Sequence, residues 1–407
     1  MSVKDKKIFY LVLFFTCLFI GIFLLVYSSP SKFFSSPQKE GISLVWDEQE
    51  LGAYYNRVAY YYNHQPPYSY NRIEYPALGI LYLTIPAFFS DSLEGFKYGL
   101  IILNLIAGLL LIAVTYKLLK VLSKSHFWLW LFILPSFLFF LVNRFDVFPA
   151  LLVQLALLFL FRKRFTLSFV ILGLALLTKG YAIIFFPIFI VYWLNKTGRR
   201  EMPLIKNKYL WIFVGPAIVI TAIICFVAGF ENGLFPYIFQ STRQFAQGAV
   251  YVIYFEALQK SLPAIAYTAI IKIVSYGLVF LQFLLPLLIY AGYSFFKKFI
   301  KTPQDVIRWM LLAAMIYILF SPYYSPQWII WILPLMVLAL GGGKKMVLLV
   351  VIYDILNYLQ FPVIYNFAGP YSLSLDILVL ARTILFVIII WLLVNRIKDS
   401  NKNVVII

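Results

Sequence analysis

The stretch NRFDVFPALLVQLALLFLFRKRFTLSFVILGLALLTKGYA, which covers residues 143–182, decides the fold class. It holds two apolar runs, near 147–161 and 166–178, separated by a basic triplet at 162–164. A membrane-spanning helix needs about 20 mostly apolar residues. Each run can therefore cross a bilayer only where flanking residues extend the helix or the bilayer adapts to it. The stretch predicts two consecutive membrane helices joined by a short basic turn.

The same alternation of apolar runs and charged breaks continues along all 407 residues. Hydrophobic residues make up 63% of the chain and charged residues only 12%, whereas an average soluble domain has about 25% charged residues. We therefore predict one all-α domain, residues 1–407, built as a polytopic transmembrane helical bundle of about 12 spans. The apolar runs lie near residues 8–27, 97–116, 127–142, 147–161, 166–178, 181–194, 209–228, 266–295, 306–320, 329–341, 346–361 and 375–394.

The basic residues indicate membrane topology rather than a nucleic-acid surface. The formal net charge is +18, but a nucleic-acid-binding domain gathers its Lys and Arg residues in a patch or stripe. Here most of the 34 basic residues lie in alternate breaks between apolar runs, as the positive-inside rule requires of cytoplasmic loops. We predict a multi-pass protein of the cell membrane with both termini cytoplasmic and no nucleic-acid partner. The basic breaks are near 117–124, 162–164, 196–208, 297–308, 344–345 and 396–402.

The first apolar run also resembles a signal peptide, because it follows a basic amino-terminal segment. It is longer than a typical signal-peptide core, and no small-x-small cleavage site follows it. We therefore predict that it is an uncleaved first helix.

The intervening breaks are comparatively acidic and are predicted to face outward. This topology requires that the apolar piece 77–89 does not cross, and its length of about 13 residues is short for a span. We predict a large outer loop over residues 28–96 with two interfacial helices, which are this piece and the Tyr-rich segment 48–62. A second outer loop covers residues 229–265.

Carboxylates in the first outer loop are candidates for chemistry. A carboxylate held at the membrane rim is partly desolvated, which makes it more basic and able to take a proton from a hydroxyl. Asp47 and Glu50 are therefore candidates for a general base, and Glu74 for substrate binding. For any one of them, an ordinary solvated acidic face is the alternative.

Charged residues next to the predicted helix ends complete the candidate site. Ionisable groups at the hydrocarbon boundary are costly and often functional, which singles out Arg144, Asp146 and Lys179, although the last two could simply pair with each other. Arg243, in the second outer loop, can fork onto phosphate oxygens or anchor to lipid headgroups.

Three stretches in this order resemble a known family. An acidic outer loop with PY at 67–68 and EYPAL at 74–78 is followed by the 143–182 stretch and then by SPYYSPQWIIWILP at 321–334. Together they are similar to the prokaryotic GT-C-fold glycosyltransferases of family 87, over most of residues 45–340. The family pattern has EYPPL where this chain has EYPAL, and Lys-x-Tyr-Pro where it has KGYA at 179–182.

The resemblance implies a GT-C-like fold and an inverting transferase. Such an enzyme would move a hexose, most commonly mannose, from a polyprenyl-phosphate carrier to a lipid or glycan acceptor on the outer face of the membrane. It also implies a catalytic carboxylate shortly before the Tyr-rich helix. Glu50 fits that spacing better, while Asp47 has the side chain that the superfamily usually employs, so both stay open.

The donor phosphate would meet cations at the membrane rim. Arg243, Lys179 and Arg144 are available for that contact, and Gln327 lies in the third stretch as a further substrate-binding candidate. No cofactor is predicted, because no nucleotide-binding loop occurs. The acids between positions 47 and 50 are close enough to share a divalent metal, but their spacing does not single out a metal site. Besides donor and acceptor, membrane lipids are the expected partners.

A transporter or lipid-linked sugar flippase is the main alternative. Twelve helices with cytoplasmic termini suit one equally well, and a polymerase or ligase of lipid-linked glycans is a third class. Transporters carry ionisable residues near the bilayer midplane, and Asp354 and Arg382 fall inside predicted helices. An enzyme instead requires the outer charged groups to surround one cavity. The groups expected there are Asp47, Glu50, Glu74, Asp146, Lys179 and Arg243, with Gln327 approaching from the far side.

Overall fold

The computed structural model describes residues 3–28, 44–45, 47–70, 72–198, 206–242, 248–340 and 343–402. Every regular element of more than one residue in these ranges is helical. The α-helices are α1 Val3–Ser28, α2 Glu48–Arg57, α3 Ala59–Tyr62, α4 Ala77–Thr84, α5 Leu93–Val121, α6 Pro135–Asn143, α7 Val147–Phe161, α8 Phe165–Thr178, α9 Phe186–Thr197, α10 Lys208–Ala228, α11 Phe230–Thr242, α12 Val250–Ser261, α13 Ala264–Ala291, α14 Tyr293–Phe296, α15 Pro303–Leu319, α16 Ile329–Leu340, α17 Lys344–Tyr358, α18 Tyr365–Phe367 and α19 Leu373–Lys402.

Tighter 3₁₀ turns and one wider π turn connect several of these helices. The 3₁₀ turns are Ile85–Phe88, His126–Ile133, Gly180–Phe185 and Pro326–Trp328, and the π turn is Leu359–Ile364. Each of the twelve apolar runs found in the sequence coincides with a helical stretch, and the segments 48–62 and 77–89 form short separate helices.

Six described helical stretches are long and apolar enough to cross a membrane, and the bent pair His126–Ile133 and Pro135–Asn143, at 65° to each other, makes a possible seventh. The six are Leu93–Val121, Gly180–Thr197, Lys208–Ala228, Ala264–Ala291, Lys344–Phe367 and Leu373–Asp399. The architecture is that of an all-helical membrane protein. The count of twelve spans stays a prediction, because α7 and α8 have only 15 and 14 residues.

The short helix α7 is buried along most of its length, whereas α8 packs against it and keeps part of one face exposed. Close backbone approach joins α8 to α10, since a Cβ on Gly173 of α8 would meet the Phe213 carbonyl oxygen of α10 at 2.6 Å. Such contacts through small residues drive helix association in lipid. The longer helices α10 and α13 expose apolar side chains such as Phe226 and Ile265, which are 92% and 88% exposed. These helices have the outward apolar surface expected of a lipid-facing wall.

The basic breaks contact one another at one end of the bundle. The Lys124 ammonium donates to the Leu338 carbonyl, and the Asn195 amide donates to the carbonyls of Lys297 and Ile300 at 2.9 and 2.8 Å. At the other end, Arg72 of the first outer loop pairs with Glu231 at 3.3 Å. These contacts join basic breaks to each other and to a helix end, and they join the first outer loop to the second. Which end faces the cytoplasm stays a prediction.

Single-cysteine labelling tests this orientation. In a chain whose two native cysteines, Cys17 and Cys225, are changed to Ser, we expect Tyr70→Cys to react with an impermeant maleimide in intact cells. Lys301→Cys should react only after permeabilisation, because the basic breaks are predicted to face the cytoplasm. Both positions are exposed. Labelling of Lys301→Cys in intact cells, with Tyr70→Cys protected, would show that the orientation is the reverse of the predicted one.

Candidate functional site

Three chain segments meet where the first outer loop reaches the α6–α7 turn. Asp47 caps the amino terminus of α2, because its Oδ1 accepts from the Glu50 backbone N–H at 3.1 Å, a common way to satisfy the free donors of a helix start. Asn143, the last residue of α6, accepts from the Asp47 backbone N–H at 2.9 Å and donates to the Val45 carbonyl at 3.0 Å. These bonds attach the loop to the end of α6.

A buried ion pair joins the loop to the same turn. The Arg144 Nη2 donates to the Asp47 Oδ2 at 2.6 Å, and both residues are buried. Burial opposes the charge on Arg144, but the carboxylates of Glu50 and Asp47 outweigh it and raise its pKa above the ordinary value. Arg144 therefore stays a cation, and a charge-assisted bond of this length is among the stronger contacts a protein makes.

A second ion pair lies beside the first. The Asp146 Oδ1 accepts from the Lys179 Nζ at 2.7 Å and from the Trp331 Nε1 at 2.8 Å. Asp146 is fully buried, whereas the Lys179 side chain keeps 18% exposure. The pairing that the sequence left as an alternative is therefore present, but it leaves the Lys179 side chain partly exposed.

Gln327 connects the two pairs. Its Oε1 accepts from the Arg144 Nε at 2.6 Å, and its Nε2 donates to the Asp146 Oδ2 at 3.2 Å. A guanidinium only donates and a carboxylate only accepts, so the amide orientation is determined by its neighbours. The result is one continuous network that runs from Asp47 through Arg144, Gln327 and Asp146 to Lys179.

Aromatic rings enclose the Lys179 ammonium. It lies 5.0 Å from the Phe145 ring centroid and 5.3 Å from that of Trp331, within the range of cation–π attraction. Tyr181 stacks on Trp331 with centroids 4.0 Å apart and planes within 3°. Lys179 and Tyr181 are thus positioned together by the turn that follows α8.

Glu50 and Glu74 complete the charged groups. The Glu50 Oε1 lies 3.9 Å from the Arg144 Nε, and the Glu74 Oε2 accepts from the Arg57 Nε at 2.6 Å. Beside Glu50, the Tyr54 hydroxyl is buried and makes no hydrogen bond to the part of the chain that the structure describes. Burial, reinforced by the Glu50 charge, raises the pKa of the Tyr54 phenol well above 10. The phenol is therefore neutral beside the carboxylate.

One cavity of about 520 Å³ opens onto this network, a size suited to a small ligand or a sugar headgroup. Its charged and amide lining from the predicted set is Glu50, Glu74, Arg144, Lys179 and Gln327. Asp47 and Asp146 do not line it, because they lie behind Arg144 and Lys179. The structure thus brings seven of the eight predicted site residues together, five on the cavity wall and two behind it.

Arg243, the eighth, lies outside the described residues. The second outer loop still reaches the cavity through Pro236, Tyr237 and Phe239 of α11. The sequence alone assigned no role to Asn143, which attaches the first outer loop, or to Trp331 and Gln360, which line the cavity. The signal for Gln360 was present, since it is an amide at the end of an apolar run.

Asp354 and Arg382, the charges that a transporter would place within the membrane, both bond to protein groups. Asp354 accepts from the backbone N–H groups of Ser136 and Phe137, at 2.9 and 3.3 Å, at the start of α6. Arg382 donates to Gln360 and to the Gly248 carbonyl. Neither lines the 520 Å³ cavity. Within the described ranges, no three acid, His or Cys side chains form a group that could hold a metal.

Removing the charge of Asp146 should destabilise the fold more than removing a surface charge. Asp146→Asn leaves the Lys179 and Trp331 donors without their carboxylate, and breaking a buried pair costs about 3–5 kcal/mol. The matched control is Glu231→Gln, whose ion pair with Arg72 is exposed and worth about 0–1 kcal/mol. Thermal unfolding in detergent should show a large fall in melting temperature for the first variant and little change for the second. Equal shifts would contradict the buried network.

No protein-family model matches the chain, and no curated protein matches it. Membership of glycosyltransferase family 87 therefore stays a prediction based on resemblance.

Proposed function

We propose that the protein is a membrane glycosyltransferase. It transfers a hexose, with mannose the first candidate, from a polyprenyl-phosphate carrier to a lipid or glycan acceptor on the outer face of the membrane, and it inverts the anomeric centre. The observation that supports this best is the cavity wall, where the carboxylate of Glu50 lies beside the Arg144 guanidinium and Lys179 supplies a second cation to the same cavity. The GT-C-like fold and the twelve-span count belong to the same proposal.

The cations suit a lipid phosphate. A polyprenyl-phosphate sugar has its reactive bond at the membrane surface, and negative charge grows on the phosphate as that bond breaks. Arg144 and Lys179 are held by Asp47 and Asp146, so they need little reorganisation to meet this charge. Fixed cations of this kind stabilise the transition state more than the ground state.

Glu50 is the better candidate for the base. Asp47 is buried, and its two carboxylate oxygens accept from Arg144 and from the α2 backbone. Glu50 lines the cavity and keeps 30% exposure. In the proposed step, Glu50 accepts the proton of the acceptor hydroxyl, the hydroxyl oxygen bonds to the anomeric carbon, and the electron pair of the broken bond leaves with the carrier phosphate.

This assignment gives Asp47 a different role. It keeps the Arg144 guanidinium aimed at the cavity and starts α2, which carries Glu50. Loss of Asp47 should therefore weaken donor binding and thermal stability as well as rate. Loss of Glu50 should affect mainly the chemical step.

The carboxylate variants separate these roles. With purified protein in lipid vesicles, a panel of radiolabelled polyprenyl-phosphate sugars and lipid extracts as acceptors, Glu50→Gln should lower turnover by about 10²–10⁴-fold with donor binding nearly intact. Asp47→Asn should weaken donor binding as well. Glu48→Gln is the matched control, because Glu48 is on the same helix but does not line the cavity.

Full activity of Glu50→Gln beside an inactive Asp47→Asn that still binds donor would make Asp47 the base. Full activity of both variants would remove the mechanism. A wild-type protein that transfers no sugar from any donor in the panel would remove the function itself.

The phosphate contact can be tested without turnover. Lys179→Met keeps a similar side-chain length but removes the ammonium that faces the cavity, so binding of bare polyprenyl phosphate should weaken by about 10-fold or more, the scale of a lost charged hydrogen bond. The control is Lys196→Met, because Lys196 lies at the end of α9 and outside the cavity lining. Unchanged phosphate binding in Lys179→Met would exclude Lys179 from the phosphate contact.

A further inference from the structure

A second polar group faces the cavity from the carboxyl-terminal helices. Gln360 lies in the π turn after α17, is buried, and lines the cavity. Its Oε1 accepts from the Arg382 guanidinium of α19. A guanidinium has donors only, so the carbonyl end of the Gln360 amide must face Arg382. The amide nitrogen is therefore the end available to a ligand.

Arg382 is itself fixed in place. Its Nη2 donates to the Gly248 carbonyl at 2.9 Å, and its guanidinium carbon lies 3.4 Å from the Tyr324 ring centroid. Tyr324 is held in turn by hydrogen bonds of 2.7 Å to the Tyr353 hydroxyl and to the Asn357 Oδ1. Arg382 is thus buried and held on several sides, and it bonds to the Gln360 amide oxygen. The orientation of that amide is therefore set before a ligand binds.

The chain beside Gln360 also leaves room for its amide nitrogen. Gly248 has a φ of +104°, and a Cβ there would lie 2.6 Å from the Gln360 Nε2. Within the described residues, no hydrogen bond joins that nitrogen to the protein. Gln360 lines the cavity, and its amide nitrogen, next to Gly248, has no protein acceptor in the described part of the chain.

The surroundings of this amide differ from those of the cations. Phe361 and Tyr365, with ring centroids 5.4 Å apart, line the cavity next to Gln360. Phe361 stacks on Phe140, which in turn lies 6.0 Å below the Arg144 guanidinium. The aromatic pair Phe140 and Phe361 thus links the Arg144 end of the cavity to the Gln360 end. A neutral amide among aromatic rings suits an uncharged ring that bears hydroxyl groups, whereas a phosphate would favour the cations.

We propose that Gln360 recognises a hydroxyl group of the hexose carried by the donor. Its amide nitrogen donates to the hydroxyl oxygen, the rings of Phe361 and Tyr365 face the sugar ring, and Arg144 and Lys179 hold the phosphate. Arg382 is a positioning residue that acts through Gln360. This inference rests on the proposed function, and it adds the residue that selects the sugar.

Binding measurements test the inference separately from transfer. For wild-type protein in detergent, we compare the affinity for bare polyprenyl phosphate with that for polyprenyl phosphate carrying mannose, glucose or galactose. At least one glycosylated carrier should bind about tenfold more tightly than the bare carrier, the scale of one hydrogen bond gained in a desolvated site. Gln360→Met should remove that preference and leave bare-carrier affinity unchanged. Gln154→Met is the matched control, because Gln154 is equally buried but does not line the cavity.

If Gln360→Met folds poorly, the affinity of wild-type protein for carriers with monodeoxy sugars provides a second test. Removing one particular hydroxyl should cost about tenfold in affinity, and removing the others less. In a folded Gln360→Met variant, that one analogue should bind as well as its parent. Equal binding of bare and glycosylated carriers by wild-type protein, or a sugar preference that survives in Gln360→Met, would overturn the role of Gln360. Sugar-selective binding without transfer would instead reject the enzyme and keep the sugar contact.

Discussion

The buried network from Asp47 to Lys179 is the constraint on which the rest of the site depends. Taking an ionic group out of water costs several kcal/mol, and that cost is offset only by close opposite charge and by further hydrogen bonds. Asp47, Arg144, Asp146 and Lys179 are located in two ion pairs, and Gln327 bonds to both. The first outer loop, the α6–α7 turn, the end of α8 and the segment before α16 must therefore stay together.

The same network separates residues of identical chemistry into two roles. Asp146 is fully buried, accepts from three side chains and does not line the cavity, so it holds donors in place. Glu50 and Glu74 lie at the cavity wall. Residue type alone therefore does not identify a base. In the proposed mechanism, Glu50 differs from Asp47 in that Glu50 lines the cavity, whereas Asp47 is buried against Arg144.

The sequence predicted the parts of this arrangement that follow from solvent preference. Long apolar runs can only be membrane or core helices, and charges at their ends must reach water or each other. That reasoning placed Asp146 and Lys179 at the same end of α7 and α8, where they pair. It did not predict the lateral neighbours. Nothing in the residue spacing shows that Gln327 reaches Arg144, or that Asp47 and not Glu50 takes the guanidinium at 2.6 Å, because those contacts depend on how helices distant in the chain pack.

Asp354 and Arg382 show why a charge within a membrane helix is ambiguous until its partners are known. Each fell inside a predicted span, as a transported ion or proton would require. Asp354 instead accepts from buried N–H groups in the first turn of α6, which have no partner within the helix, and the helix dipole favours an anion there. Arg382 braces Gln360 and Tyr324. Both charges orient the segments that line the cavity, Asp354 through α6 and Arg382 through the turn after α17. Hydrogen bonds and a ring contact offset the cost of burying these two charges. The charges orient the segments that carry Phe140 and Gln360, but they do not line the cavity themselves.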